Sequence, residues 1–227
     1  MRLAALFSGG KDSTFAAHIA EASGHEVAVL FSMQPRRGDS WMFHSVNIHL
    51  TRLLAEAWGK PIVEVPTQGE KEKELEDLQR ALAVIPVEGV VTGAIASAYQ
   101  RDRVDRICRT LGIRHVAPLW GVDQGEVLRE EVASGMEIIF SAVAAEGLGK
   151  DWLGRRLDAE AVAELEALHD RFGLNVCGEG GEYESLVLDA PWLLKRLVVR
   201  RADPVWDGTS GEYRVREAVL QSKAGDG

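Results

Sequence analysis

Leu3-Ala4-Ala5-Leu6-Phe7-Ser8-Gly9-Gly10-Lys11-Asp12-Ser13 stands at the head of the chain. The apolar run reads as a buried strand over Leu3–Phe7, the glycine pair as a turn, and Asp12 as the opening of a helix that reaches about Ala22. A strand, a glycine turn and a helix N-terminus in that order build an anion cradle. The two glycines let the backbone approach phosphate oxygens closely. The free N–H groups of the helix's first turn point at the anion, with the helix dipole behind them. Lys11 adds a full positive charge, and Ser8 and Ser13 offer hydroxyl hydrogen bonds. An ordinary βα turn that happens to contain Gly-Gly-Lys is the less specific reading; the position between strand and helix fits a nucleotide site.

Outward from this stretch the same unit recurs. Val27–Phe31, Ile62–Val65, Val87–Thr92 and His115–Leu119 read as further strands. Helices are expected from about Ser45 to Trp58, Lys71 to Val84 and Ala98 to Leu111, with Gly59 and Gly112 as stops. Alternation of this kind predicts an α/β fold, a doubly wound parallel sheet with both faces covered. Ligands of such sheets lie beyond the carboxyl ends of the strands. The turn Thr92-Gly93-Ala94 is therefore expected to face the same nucleotide as Ser8–Ser13. The second half changes character. A helix over about Gln124 to Ser134, a strand at Glu137–Val143 and a helix capped by Asp158 and stopped by Gly173 come first. Strands at about Leu186–Leu188, Lys195–Arg201 and Glu212–Leu220 follow, then a frayed tail. The expected division is a nucleotide-binding domain over residues 1–120 and a smaller C-terminal α/β domain over residues 121–227 that binds substrate.

The 227 residues carry a formal net charge of −9 and are 46% hydrophobic and 27% charged. That is a globular composition. The acidity counts against a broad nucleic-acid surface, which needs a basic patch or stripe. No apolar run approaches the roughly 20 residues of a membrane-spanning helix. Cys108 and Cys177 lie far apart and suggest a reducing compartment, hence the cytoplasm. Oligomeric state is open, a homodimer included. The run Glu70–Asp77 is a solvated helix face.

The second strong signal is Gly178-Glu179-Gly180-Gly181-Glu182-Tyr183-Glu184. Three crowded carboxylates repel unless a cation or a hydrogen-bond donor sits among them. A cationic substrate group, ammonium, or Mg²⁺ arriving with ATP fits, and a solvated acidic hairpin is the other reading.

Ser8-Gly9-Gly10-Lys11-Asp12-Ser13 is not a Walker A loop, whose glycines stand farther apart. It resembles the PP-loop of the ATP pyrophosphatases. Together with Cys177-Gly178-Glu179-Gly180-Gly181-Glu182-Tyr183-Glu184, and with Gly93-Ala94-Ile95, Tyr99-Gln100-Arg101, Pro118-Leu119-Trp120 and Leu128-Arg129-Glu130 between them, the chain is similar to the diphthine–ammonia ligase (diphthamide synthase) family. The resemblance runs from Leu3 to about Pro191. Ser185 stands where that family commonly has threonine and keeps the hydroxyl.

What the resemblance implies is an N-terminal domain of the adenine-nucleotide α-hydrolase kind, Rossmann-like in its sheet, and an acidic glycine block in the C-terminal domain. Such enzymes use ATP, with Mg²⁺, to adenylate the carboxylate of diphthine on translation elongation factor 2. Ammonium then yields the amide, with AMP and pyrophosphate released. Ser8, Gly9, Gly10, Lys11, Asp12 and Ser13 are expected on the phosphates, and Gly93 and Tyr99 near the nucleotide. Gly178, Glu179, Gly180, Gly181, Glu182, Tyr183 and Glu184 are expected to bind substrate or ammonium. Lys11, Asp12, Glu182 and Glu184 are the expected catalytic residues, with Glu182 and Tyr183 as partners for the quaternary ammonium of diphthine. Two alternatives remain at this level. One is another PP-loop enzyme, tRNA-modifying or amidating a different carboxylate; the other is a nucleotide-sensing module with no chemistry. A reactive cysteine pair and a basic surface would mark a tRNA enzyme, and the sequence has neither.

Overall fold

Leu3 and Ala5 face one side of the first strand and Ala4 the other, and all three are fully buried. A strand covered on both faces belongs at the centre of a sheet. In the computed structural model, which describes residues 1–35, 46–67 and 71–223, that strand is β1 (Arg2–Leu6). It is joined by β2 (Glu26–Pro35), β3 (Ile62–Thr67), β4 (Gly89–Val91) and β5 (Arg114–Val116). The order is β3-β2-β1-β4-β5, and every pairing is parallel. The chain moves outward from β1 to β3 and then returns to the other side of β1 as β4. The gap between the carboxyl ends of β1 and β4 is thus the switch point of the sheet, where open α/β folds hold ligands.

Four helices cover the faces: α1 (Lys11–Ala22), α2 (Thr51–Trp58), α3 (Lys71–Ala83) and α4 (Ala98–Leu111). Leu75, Leu78, Leu82, Val104 and Ile107 of α3 and α4 pack with Ala4, Phe31, Met33 and Val90 in one core. Phe15, Ala16, Leu54 and Trp58 of α1 and α2 pack with Leu3, Ala5 and Leu30 in the other. The doubly wound parallel sheet expected from the alternation is therefore present.

The second half forms α5 (Gln124–Ala133), β6 (Glu137–Val143), α6 (Ala159–Phe172), β7 (Tyr183–Asp189), β8 (Lys195–Trp206) and β9 (Gly211–Ser222). Its sheet runs β7-β6-β9-β8 and is antiparallel at every pairing. The helix ends follow their capping residues. Asp123 and Asp158 accept hydrogen bonds from the N–H groups of Glu126 and Ala161, each at 3.0 Å, and Gly173 closes α6 in the left-handed region. β8 and β9 outrun their expected lengths. Pro204 lies inside β8, opposite Tyr213, and proline is tolerated there because β8 is an edge strand. Phe140, Leu165, Leu186 and Leu197 share one buried core with Leu3 and Phe15, so the second sheet packs against the α1–α2 side of the first.

α2 starts later than the expected Ser45. Ile48–Leu50 form a short 3₁₀ turn ahead of Thr51, and Asn47 sits in the left-handed region at φ 62°. The Asn47 side chain acts as a piece of strand: its Nδ2 donates to the Tyr213 carbonyl and its Oδ1 accepts from the Val215 N–H, both at 2.8 Å. Residues 36–45, which include Trp41, His44 and the start of the expected helix, lie outside the described residues, as do Glu70 and the tail beyond Lys223.

Asn47→Ala leaves a buried strand N–H and a carbonyl unpaired. We expect it to lower stability by about 1–3 kcal/mol, read as a lower urea midpoint at unchanged slope.

Candidate active site

A cavity of about 500 Å³ opens at the switch point. Ser8, Gly10, Lys11, Asp12 and Ser13 form its floor, and Thr92, Gly93 and Ala94 form one wall. Gly178, Glu179, Gly180, Gly181, Tyr183 and Glu184 form the facing wall. Phe31, Met33, Val46 and Ile48 add an apolar side. The two motifs singled out in the sequence, from opposite halves of the chain, thus meet across one space.

The glycine loop is held by the second sheet. The Lys11 N–H donates to Ser185 Oγ at 3.1 Å, and the Val187 N–H donates to the Gly9 carbonyl at 2.9 Å. Ser8 Oγ and Ser13 Oγ lie 3.2 Å apart, and Thr14 Oγ1 donates to the Gly10 carbonyl at 2.8 Å. The N-cap of α1 is Gly10, so no side chain of its own caps the helix, and Ser185 takes the first N–H of the helix instead. Gly9 has φ +80°, and a Cβ there would lie 2.8 Å from Leu54 Cδ1. A Cβ on Gly93 would lie 2.6 Å from the carbonyl carbon of Asp12. Only glycine lets the turn after β4 rest against the backbone of the loop.

Lys11 departs from expectation. Its side chain is only 1% exposed, and its ammonium lies 2.5 Å from Asp12 Oδ1 and 3.2 Å from Glu131 Oε2. Burial pushes the ammonium's pKa down, but the carboxylates of Asp12 and Glu131 outweigh it and hold the pKa well above its ordinary value. Burial drives the Glu131 carboxyl up, against the pull of Lys11. The Glu131 contact is an ion pair without hydrogen-bond geometry, since neither carboxylate oxygen has a hydrogen-bond partner. A cation clamped between two carboxylates has little charge left for a phosphate.

The acidic block divides. Glu179 reaches across the cavity to the start of α4, where Oε1 accepts from the N–H groups of Ile95, Ala96 and Ser97 at 2.9, 3.0 and 3.1 Å. Oε2 accepts from Ala96 at 2.8 Å. Its charge is absorbed by a backbone nest, so it acts as a strap between the two walls. Glu182 does not line the cavity; Oε1 folds back toward the Asn175 N–H at 3.4 Å. Tyr183 is 3% exposed, its ring packs edge-on to Phe140 at 5.0 Å, and its hydroxyl donates to the Val176 carbonyl at 2.7 Å. It is a buried floor rather than an open aromatic face. Glu184 lines the cavity, as do Asp12 and Glu212. Tyr99 lies off the cavity, 38% exposed, with the Arg103 guanidinium 3.4 Å over its ring. Cys177 is buried and its Sγ donates to the Gln124 carbonyl at 2.9 Å; burial pushes the thiol up to about 12, so it is an inert packing residue.

A profile of the diphthamide synthase N-terminal domain matches residues 1–115, and one of the diphthamide synthase C-terminal domain matches residues 124–221. The chain belongs to the diphthamide synthase family. It is 38% identical to the diphthine–ammonia ligase of Rattus norvegicus, over 90% of this chain and 85% of that one. Against the human diphthine–ammonia ligase the identity is 36%, over 90% and 85%. The Schizosaccharomyces pombe diphthine–ammonia ligase is 38% identical over 98% of this chain, which spans only 40% of that protein's length. The solved structure of a predicted tRNA methyltransferase subunit from Methanocaldococcus jannaschii aligns with a TM-score of 0.46 at 15% identity, over 84% of this chain and 98% of that one. That likeness has no bearing on function.

Within this diphthamide synthase chain, the sequence reading missed Glu131. The signal was there: Val127, Leu128 and Glu131 share one face of α5 and are all fully buried, so a carboxylate interrupts an apolar stripe. Glu212 and Asn47 left no such signal.

Removing Lys11 strands a buried carboxylate. Lys11→Met is expected to cost about 3–5 kcal/mol, and Lys11→Met/Glu131→Leu to recover most of it, both measured by urea unfolding. A single variant as stable as wild type would show that the pair does not hold the loop.

Proposed function

We propose that this chain is an ATP-dependent amide ligase acting on diphthine; its relatives are named diphthine–ammonia ligases. It would adenylate the diphthine carboxylate of translation elongation factor 2 in the cytoplasm and replace AMP with ammonia. The observation that carries this reading is the meeting of the glycine loop and the acidic glycine block around one cavity of about 500 Å³. That volume suits a nucleotide-sized ligand.

A carboxylate is a poor electrophile because its leaving group is oxide, and adenylation supplies a better one. The enzyme's part is to position the reactants and neutralise charge as pyrophosphate departs. The α1 N-terminus and the loop backbone would hold the phosphates, and Phe31, Met33, Val46 and Ile48 would face the adenine. Lys11 is already clamped by Asp12 and Glu131, so a triphosphate in the cavity would keep most of its negative charge. Mg²⁺ would therefore enter with ATP. Asp12 and Glu184, which line the cavity, are the carboxylates that would steady an ion carried mainly by the substrate phosphates. It would neutralise charge on the departing pyrophosphate. The same carboxylates favour cations, and both the quaternary ammonium of diphthine and ammonium are cations. Glu184 takes the cation-facing role first expected of Glu182 and Tyr183. The division near residue 120 would separate a nucleotide-binding part from a substrate-binding part. Among the described residues no helix is long and apolar enough to cross a membrane.

Incubation with ATP, ammonium and diphthine-bearing elongation factor 2, followed by the mass of the modified histidine, tests this reading. Amide formed together with AMP and pyrophosphate is expected; ATP turnover with no dependence on the acceptor would sink it. Glu184→Gln is expected to keep ATP binding and lose amidation, whereas Glu182→Gln keeps a turnover number close to wild type.

A further inference from the structure

Thr92 follows β4 and lines the reaction cavity. Its Oγ1 lies 2.8 Å from His115 Nε2, and His115 Nδ1 lies 2.6 Å from Asp105 Oδ1. The His115 side chain is 6% exposed and the Asp105 side chain 33%. His115 and Asp105 line a second hollow beside Cys108 and Arg109, which Thr92 does not enter. The three side chains therefore form a hydrogen-bonded chain from the reaction cavity, through a buried imidazole, to a carboxylate open to water.

Its polarity follows from the chemistry of the groups. An ionised carboxylate only accepts, so Nδ1 carries the ring proton and Nε2 accepts. The Thr92 hydroxyl then donates to Nε2, which leaves the lone pairs of Oγ1 as acceptors in the cavity. An acceptor at that point suits a proton-bearing nitrogen rather than a phosphate oxygen. Arg101 Nε lies 3.7 Å from the other Asp105 oxygen, Oδ2.

We propose that Thr92, His115 and Asp105 are a proton relay that deprotonates ammonium for the amidation step, an inference that rests on the ligase reading above. An ammonium N–H proton passes to Thr92 Oγ1 as the hydroxyl proton passes to His115 Nε2. The freed nitrogen lone pair forms the C–N bond to the acyl carbon of the adenylate. The C–O bond to AMP breaks, and its electron pair leaves with the phosphate. A second proton is lost from the nitrogen of the addition product. The balance is acyl adenylate plus ammonium giving amide, AMP and two protons. The imidazolium faces the Asp105 carboxylate and returns its proton to water on that side. Thr92 touches the nucleophile; His115 and Asp105 act through it and are positioning residues.

Asp105→Asn tests this with little change of shape. An amide that donates to Nδ1 leaves the ring proton on Nε2 and blocks transfer from Thr92, and one that accepts from Nδ1–H removes the negative charge that stabilises the imidazolium, so either orientation slows the relay. Three rates are compared with wild type: acceptor-dependent ATP–pyrophosphate exchange, amidation by ammonium, and hydroxamate formation from hydroxylamine. Hydroxylamine is largely neutral at neutral pH and needs no deprotonation before attack. The expected result is unchanged exchange, unchanged hydroxamate formation, and amidation by ammonium slower by about 10²-fold. Thr92→Val is expected to repeat that split and Thr92→Ser to remove it, which keeps the test open if Asp105→Asn folds poorly. Equal losses with both nucleophiles, or an undiminished ammonium rate, would overturn the relay and leave the ligase reading standing. Absence of acceptor-dependent exchange in the wild type would overturn the ligase reading and the relay with it.

Discussion

The hydrogen bonds that tie the glycine loop to β7 govern the arrangement of the cavity. Ser185 Oγ takes the Lys11 N–H, and the Gly9 carbonyl takes the Val187 N–H. Within the loop the Ser8 N–H donates to Ser13 Oγ and the Gly10 N–H to Ser8 Oγ, each a long bond of 3.3 Å, so the turn is only loosely held by itself. Its shape is imposed from outside. β7 supplies that support and also begins at Tyr183, the end of the acidic block. Loop and block are therefore set in register by the same strand. Glu179 closes the remaining side, since its carboxylate binds three successive N–H groups at the start of α4. The walls around the cavity come from β1, β4 and β7, and each is bonded to another.

Charge in this site is largely cancelled in pairs. Lys11 faces Asp12 and Glu131, and Glu179 faces a backbone nest. Breaking such a buried pair is costly because the survivor cannot be solvated, whereas the intact pair adds little net stability. The buried charges therefore fix geometry more than they stabilise the fold. The carboxylates that line the cavity follow the same rule: Asp12 pairs with Lys11 and Glu212 with Arg214.

Much of this was legible in the sequence because it is local. The strand–turn–helix at Leu3–Ser13 appears as read, with the helix starting at Lys11. The helix at Ala98–Leu111, the strand at Glu137–Val143 and the helix between Asp158 and Gly173 also fall where capping residues and periodicity put them. Strand lengths were less legible: β8, expected at about Lys195–Arg201, continues through Pro204 to Trp206, which its edge position makes acceptable. The smaller α/β unit expected in the second half is present, and the sequence did not show that its strands pair antiparallel or that they share a core with the first half.

Sequence by itself determined the parallel sheet, its glycine loop and the acidic block as the places where chemistry belongs, because periodicity, turn residues and capping act over a few residues. Tertiary structure alone decided what each side chain in those places faces. It buried Lys11 against Glu131, turned Glu182 away, sent Glu179 to α4, and lined up Thr92, His115 and Asp105. Those partners lie from 7 to 120 positions apart by residue number. A short-range pattern contains no information about which distant group will compensate a buried charge or accept a proton. Packing settles that, since an unpaired polar group inside the fold costs more than the pairing it finds there.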